Sequence, residues 1–235
     1  MRVLLLGSGP SVTACRDWPR APWDMIVAIN NAWAVRPDWD VSIFPEDFPE
    51  DRRPAAGEGR RLVGADDFVP ANNAFGGIVH AGATMAFTAT YWALHALRPR
   101  LIGYLGCDMT YDGARTHFYG RGTADPLRAD ITLRSLEAKS CRAEALAAGQ
   151  GCALVNLSAG RSRLTFPRAR PDTLPIVPRH PDQRAVAEAV RAENAAGYLV
   201  EDGRYWLHPE RFDVQVIDRI DGLWRAAWSA ASAAA

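Results

Sequence analysis

The residues best suited to chemistry in this 235-residue chain lie between positions 108 and 128. This stretch follows an apolar run and mixes Asp, Tyr, His and Arg side chains with several glycines. A loop of this length without its own periodicity is usually functional or disordered, and its aromatic side chains argue against disorder. Histidine suits proton transfer near neutrality, and tyrosine and arginine suit a leaving phosphate. The candidate catalytic residues are Asp108, Tyr111, His117, Tyr119 and Arg121.

His117 is the candidate general base in this loop, because its unperturbed pKa of about 6.5 fits that role. The alternative is a structural histidine that donates a hydrogen bond within a packed loop. The other histidine in a predicted element, His95, is expected to be structural.

A glycine turn near the amino terminus is the second candidate site. The continuous apolar run Val3 to Leu6 predicts a strand buried on both faces of a parallel sheet. Glycines then permit a sharp turn, and proline suits the first position of a helix whose free N–H groups would hold an anion. The alternative is a turn that only connects strand to helix. The candidate binding residues here are Gly7, Ser8, Gly9, Pro10 and Ser11.

Two known phosphate motifs fit this turn poorly. The dinucleotide fingerprint requires a third glycine where this chain has Val12, so NAD and FAD are disfavoured. The Walker loop requires a lysine after the glycines, and Lys139 is the only lysine in the chain.

Polar residues also follow later predicted strands, where ligands of open parallel sheets bind. Asn30 and Asn31 end the strand Asp24 to Ile29 and are expected either to contact a ribose or base or to serve the turn. After the strand Cys152 to Asn156, a serine and arginine group is placed to hold a phosphate or carboxylate. This group contains Ser158, Arg161, Ser162 and Arg163.

The elements that position these residues predict an α/β protein. We expect a Rossmann-like, mostly parallel sheet with helices on both faces over residues 1–166, and a Pro-rich linker with a C-terminal helical extension over 167–235. Further strands are predicted at 41–44, 61–63 and 100–104, and helices at 83–97, 131–148 with Asp130 as N-cap, and 183–196. Residues 72–77 are expected to be flexible, and 198–207 to form a hairpin.

The last predicted helix begins near Pro209 and carries an apolar stripe that must be buried on the core or on another subunit. A homo-oligomer through this helix is therefore one expectation. The stripe consists of Val216, Ile217, Ile220, Leu223, Trp224, Ala227 and Trp228.

Composition limits the partners. The formal net charge is zero and the pI is about 7.0, which argues against a nucleic-acid partner and against a polybasic membrane patch. The four cysteines show neither metal-ligand spacing nor a disulfide framework, so no metal site is assigned to them. The apolar run after Arg2 is shorter than the core of a signal peptide, so neither a signal peptide nor a membrane span is expected, and a cytoplasmic location is.

Several of these motifs, taken in order, resemble a known family. The turn Gly7 to Ser11, Asn30, the helix entry Ala81-Gly82 and the strand end Gly106-Cys107-Asp108 resemble the small bacterial sialyltransferases of glycosyltransferase family 42. The broader group with this Gly-x-Gly-Pro-Ser turn includes proteins similar to hydroxymethylpterin diphosphokinases. The resemblance covers about residues 2–156 and implies a Rossmann-like domain, a CMP-activated sugar donor, a small-molecule or glycan acceptor and a loop histidine as base.

The resemblance also assigns positions in this chain. It places Gly9, Pro10 and Ser11 at the phosphate, Asn30 at the nucleoside, and Gly106 and Asp108 on the nucleotide side, with Gly82 at the helix entry. Three positions depart from the family. Ser8 replaces an asparagine, Ala81 replaces a serine, and Arg121 stands where the family has its histidine base, so that His117 is the nearest histidine.

The expected function is that of a glycosyltransferase using a nucleotide-activated sugar, which requires no cofactor in the sialyltransferase-like form. One alternative is a nucleotide-dependent diphosphokinase or pterin-related transferase, which would need Mg²⁺ to neutralise phosphate oxygens. Asp108 and Asp112 are the carboxylates placed for that ion. A second alternative is a non-catalytic nucleotide-binding module.

Overall fold

A computed structural model describes residues 1–111, 115–121, 128–175 and 177–233 of the chain. Its described part contains one sheet of six strands in the order β4-β3-β2-β1-β5-β6, and every neighbouring pair is parallel. The predicted Rossmann-like α/β class is confirmed. The strands are β1 (Arg2–Leu6), β2 (Met25–Ile29), β3 (Val41–Ile43), β4 (Arg61–Val63), β5 (Leu101–Leu105) and β6 (Ala153–Asn156).

Six α-helices and several short 3-10 helices accompany these strands in the described part of the chain. The α-helices are α1 (Ala65–Asn73), α2 (Ile78–Ala81), α3 (Met85–Ala96), α4 (Leu136–Gly149), α5 (Gln183–Ala196) and α6 (Val214–Ala233). The 3-10 helices are Pro10–Cys15, Asn30–Ala34, Glu50–Arg52, Ile131–Leu133, Tyr205–Leu207 and Pro209–Arg211.

The sheet is covered on both faces, as its apolar strands require. In β1, Val3 to Leu6 are fully buried, and alternate side chains enter different apolar clusters. One cluster joins the sheet to α1, α3 and α4. The other joins it to the 3-10 helices Pro10–Cys15 and Asn30–Ala34 and to buried tryptophans. Helices therefore lie on both faces, although those of the second face are short.

Two predicted elements are wrong in detail. Residues 72 and 73 were expected to be flexible but end helix α1, where the fully buried Asn72 amide donates to the carbonyls of Phe68 (2.8 Å) and Thr88 (3.3 Å). Pro70 inside α1 hid this helix, because an internal proline normally ends one. The predicted helix 131–148 is divided: Asp130 caps the 3-10 helix Ile131–Leu133, and Ser135 caps α4.

The C-terminal extension packs on the core through α4. The apolar stripe of α6 is buried within the chain, with Ile217, Ile220, Trp224 and Ala227 all at most 1% exposed. Burial on the core was the first of the two arrangements expected for this stripe. The predicted hairpin over 198–207 is wrong: Tyr198 and Val200 enter an apolar cluster with residues of α2 and α6, and Tyr205–Leu207 is a 3-10 helix.

The four cysteines are buried free thiols. Among the described helices, none combines the length and apolarity needed to cross a bilayer.

Candidate functional site

The strand order reverses direction between β1 and β5, and in open parallel sheets the crevice at such a point is where ligands bind. The loops that leave these two strands are joined by backbone hydrogen bonds. The N–H of Gly7 donates to the carbonyl of Leu105 (2.8 Å), and the N–H of Gly9 donates to that of Gly106 (2.8 Å). The predicted glycine turn and the predicted catalytic loop therefore begin side by side.

Close approach of these loops explains the glycines. A Cβ on Gly9 would lie 2.7 Å from the carbonyl oxygen of Gly106, and one on Gly7 would be closer still. Gly106 itself has a φ of 74°, and a Cβ there would lie 2.7 Å from the Cβ of Val12. The contact accounts for all three glycines without a ligand, so their role in ligand binding stays a prediction.

The turn has fewer free N–H groups for an anion than the sequence predicts. Two of its N–H groups, those of Gly7 and Gly9, already donate to carbonyls, and the helix that follows is a six-residue 3-10 helix with a small dipole. The N–H groups of Ser8 and Ser11 donate to no acceptor among the described residues.

Side chains from three strand ends meet at the crevice. The Ser11 hydroxyl donates to Asp108 Oδ2 (2.8 Å) and lies 3.2 Å from the Ser158 hydroxyl. The Asn156 amide donates to Ser162 Oγ (2.9 Å) and reaches Asp108 Oδ1 at 3.5 Å. Its oxygen accepts the N–H of Ser158 (2.9 Å). We call these five residues the switch-point cluster.

The switch-point cluster is only partly buried. Asn156 is fully buried and Ser158 is 3% exposed, whereas Ser11 and Asp108 are half-buried. Ser11 and Asp108 are predicted site residues, and the structure brings them into direct contact. Asn156 was missed as a site residue. Its signal was a polar side chain ending the otherwise apolar run CALVN.

The arginines beside the cluster support its loops. Arg163 donates with Nε and Nη2 to the carboxylate of Glu137, and its N–H donates to the Asp108 carbonyl (2.9 Å). The hydrogen bond to Glu137 raises the pKa of Arg163. Arg168 donates to the carbonyls of Ser158 and Gly160. Both guanidinium groups therefore already donate to acceptors within the protein.

Cys107 lies next to Asp108 but has no features of a reactive thiol. It is 5% exposed, and burial, assisted by the neighbouring Asp108 carboxylate, raises the pKa of the Cys107 thiol far above its ordinary value. Because the thiolate is the reactive form, Cys107 fills space here.

Four predicted catalytic residues lie on one short hairpin or against it. His117 and Gly120 exchange both backbone hydrogen bonds (3.0 Å each), and Phe118 donates its N–H to the Ser8 carbonyl (3.0 Å). The hairpin is thereby docked on the glycine turn. The residues on it or packed against it are Tyr111, His117, Tyr119 and Arg121.

His117 is enclosed by aromatic rings. It is 9% exposed, its ring lies 5.7 Å from that of Tyr111 and stacks at 5.0 Å on that of Tyr119, and its Nδ1 is 2.9 Å from the Thr116 hydroxyl. Tyr119 is 46% exposed, and Arg121 is exposed. The hairpin therefore presents a tyrosine ring and a guanidinium to solvent above an oriented imidazole.

Asn30 and Asn31 begin the 3-10 helix that follows β2. Asn30 has a left-handed φ of 52°, so its backbone serves the turn. This was one of the two roles expected for it. Its Oδ1 is buried and has no hydrogen-bond partner among the described residues. Such an atom is costly unless something else satisfies it, so ligand contact stays a prediction for this side chain.

Gly82 lies against α4. It ends α2 with a φ of 90°, and a Cβ there would lie 2.9 Å from Lys139 Cγ and 3.2 Å from the Phe87 ring. This packing explains the glycine, and its predicted ligand role stays a prediction.

Asp112, the second carboxylate considered for Mg²⁺, lies outside the described residues. Across the described ranges, no group of three or more His, Cys, Asp or Glu side chains is placed to hold a metal ion. No protein-family model, curated protein or solved structure significantly matches the chain. The resemblance to family 42 therefore rests on the residues quoted for it.

Proposed function

We propose that this protein is a transferase that binds a nucleotide-activated sugar, with a CMP-sugar as the first candidate donor, in the crevice between β1 and β5. The observation that carries the proposal is the hydrogen bond of Ser11 to Asp108, since it joins two strand ends at the point where the strand order reverses. The docked hairpin adds His, Tyr and Arg side chains beside the same turn.

In this proposal, the acceptor hydroxyl attacks the anomeric carbon of the donor, the bond from that carbon to the phosphate oxygen breaks, and the nucleoside monophosphate leaves. His117 takes the proton from the acceptor hydroxyl. The Thr116 hydroxyl and the stacked Tyr119 ring orient the imidazole. Arg121 and Tyr119, which are exposed on the hairpin, stabilise the charge on the leaving phosphate.

The test is a nucleotide titration followed by product analysis. Calorimetry with CMP, CDP, UDP, GDP and ATP should show binding of at least one nucleotide, and a CMP-sugar should release CMP when an acceptor is present. His117→Ala should lower turnover by roughly a hundredfold while nucleotide affinity changes little. His95→Ala is the matched control, because His95 is exposed on α3.

The outcomes separate the candidate functions. Nucleotide binding without turnover would indicate a binding module. Mg²⁺-dependent transfer of diphosphate from ATP to a pterin alcohol would indicate a diphosphokinase. A protein that binds none of these nucleotides would contradict the proposal, and full turnover in His117→Ala would move the proton transfer to another residue.

A further inference from the structure

We infer that the switch-point cluster binds the vicinal hydroxyls of a ribose, so that the ligand is a ribonucleotide whose phosphates point away from Asp108. This inference rests on the proposed function and specifies which part of the nucleotide meets which strand end. It also differs from the expectation that the turn after β1 holds a phosphate and that the group after β6 holds a phosphate or carboxylate.

The composition of the cluster favours ligand hydroxyls over a phosphate. Asp108 is its one ionisable side chain, and its other members are serine hydroxyls and an asparagine amide. An ionised carboxylate only accepts hydrogen bonds, so it attracts hydroxyl groups and repels phosphate oxygens. A group with this composition is suited to sugar hydroxyls.

Three cations of the loop after β6 and of α4 are hydrogen-bonded to groups other than Asp108. Two guanidinium groups on the loop after β6 donate elsewhere, Arg163 to Glu137 and Arg168 to two carbonyls. The only lysine, Lys139, is 1% exposed and pairs with Asp221 at 2.8 Å. None of these three cations is directed at the Asp108 carboxylate.

The Asp108 carboxylate can accept further hydrogen bonds. Its two oxygens offer about four acceptor sites. Ser11 occupies one at 2.8 Å, and Asn156 approaches the other oxygen only at 3.5 Å. Asp108 is half-buried, and its carboxylate has no other hydrogen-bond partner among the described residues. Two ligand hydroxyls can therefore donate there, flanked by the Ser11 and Ser158 hydroxyls.

The position of the hairpin favours a phosphate site beside it. Phe118 docks it on Ser8, at the end of β1, so the exposed Arg121 lies on the hairpin side of the glycine turn. A ribose held at the β5 end then leaves the phosphates to the hairpin. This arrangement keeps the like charges of phosphate and Asp108 apart.

The experiment compares CMP with 2′-deoxy-CMP and 3′-deoxy-CMP by calorimetry on the full chain, in wild type and Asp108→Asn. The same ribo and deoxy comparison is made for whichever nucleotide of the titration panel binds. Each deoxynucleotide should bind wild type about tenfold more weakly than the ribonucleotide. Asp108→Asn should weaken the ribonucleotide by a similar factor and remove most of the difference between ribo and deoxy forms.

Whether Asp108→Asn weakens or tightens nucleotide binding distinguishes a ligand hydroxyl at Asp108 from a ligand phosphate there. If a phosphate lies at Asp108, removing the negative charge should tighten binding, and the deoxynucleotides should bind as well as the ribonucleotide. Either result would overturn the inference. Ser158→Ala retains the carboxylate and should weaken the ribonucleotide by a few fold, which supports the assignment if Asp108→Asn proves poorly folded.

Glu188→Gln is the control, because it removes one carboxylate from the exposed face of α5 and should leave nucleotide affinity unchanged. Equal binding of ribo and deoxy forms would contradict this inference while leaving the proposed transferase intact. Absence of binding by every nucleotide would contradict both.

Discussion

Two polar regions of this protein use similar residue types for different purposes. The switch-point cluster surrounds one half-buried carboxylate with neutral groups. A second region, which we call the buried ion-pair network, pairs each carboxylate with a cation where α4, α5 and α6 meet. It consists of His80, Tyr91, Lys139, Arg142, Glu193, Asp221 and Trp224. The network pairs its carboxylates with cations inside the protein, whereas the Asp108 carboxylate of the switch-point cluster has no cation partner among the described residues.

The centre of the network is Arg142, which is 1% exposed. Its Nε and Nη2 donate to the two oxygens of Glu193 at 2.7 and 2.8 Å, and its Nη1 donates to the Tyr91 hydroxyl at 2.7 Å. The Trp224 indole donates to Glu193 Oε1 at 2.7 Å. Four helices thus share one bidentate ion pair, and the C-terminal extension is joined to the core through it.

Burial in the network has a cost that only pairing offsets. Removing one member of a buried pair leaves the other charge unsolvated, which typically destabilises a protein by about 3–5 kcal/mol. The two buried carboxylates of the network are accordingly each paired with a cation, Glu193 with Arg142 and Asp221 with Lys139. The switch-point cluster tolerates an unmatched carboxylate, because Asp108 still reaches solvent.

The largest effect should come from Glu193→Ala, which breaks the network at its centre. It leaves the guanidinium of Arg142 buried without its carboxylate and removes the acceptor of Trp224, so we expect a loss of about 3–5 kcal/mol in the free energy of unfolding. Urea denaturation measures this loss. Glu188→Ala on the exposed face of the same helix should change stability by less than about 0.5 kcal/mol.

A loss below about 1 kcal/mol in Glu193→Ala would contradict the view that this pair holds the extension in place. Nucleotide affinity of the folded fraction should not change, since the contacts of Glu193 are confined to the network.

The second prediction concerns pH and His80 in the same network. Burial lowers the pKa of His80 from 6.5 to about 4, and its ring, stacked on Tyr198, faces Glu193 on α5 and Arg142 and Lys139 on α4. Neither ring nitrogen has a hydrogen-bond partner among the described residues. Between pH 6.5 and 4 the unfolded chain binds a proton that the folded protein does not, so stability falls as the pH falls.

The two pKa values of His80 correspond to about 3 kcal/mol across this window. Other groups titrate there too, so the measurement is the difference between wild type and His80→Phe, which keeps a ring against Tyr198. Urea unfolding at pH 7, 6, 5 and 4 should show wild type losing stability relative to the variant. Parallel curves for the two proteins would show that His80 is not held neutral by burial.

The two regions also differ in how far the sequence predicts them. Ser11, Asp108 and Ser158 each follow an apolar run, so their meeting at one sheet edge follows from parallel strands, although Ser11 and Asp108 are 97 residues apart. No such pattern marks the network. Arg142 and Glu193 lie 51 residues apart in α4 and α5, and each looks like an ordinary charged position on a surface helix.

The local sequence does not show which side chains pair across separate helices. It also gives a poor signal for a helix that contains a proline. Helix α1 was missed because of Pro70, and the hairpin predicted around Asp202-Gly203 was wrong because Tyr198 and Val200 pack in an apolar cluster. The period of apolar residues and the residue types in turns predict helices and strands. The packing of the C-terminal extension depends on contacts between residues distant in sequence.

The last and smallest expected effect tests whether the glycine turn belongs with the structural region or with the site. In Gly9→Ala the new Cβ would lie 2.7 Å from the backbone oxygen of Gly106, so the β1 and β5 loops must separate. Overpacking of this kind costs about 1–3 kcal/mol. Because the moved loop carries Asp108 two residues later, nucleotide affinity should also fall.

Gly222→Ala is the matched control, since Gly222 is exposed inside α6 and a Cβ there meets nothing within 4 Å. That change should stabilise the protein by about 0.5–1 kcal/mol, because alanine favours the helix, and should leave nucleotide affinity unaltered. Thermal unfolding and calorimetry with CMP measure both quantities for both variants. If Gly9→Ala lowers stability while affinity per folded molecule is preserved, the turn is a connector, and ligand recognition belongs to the side chains beside it.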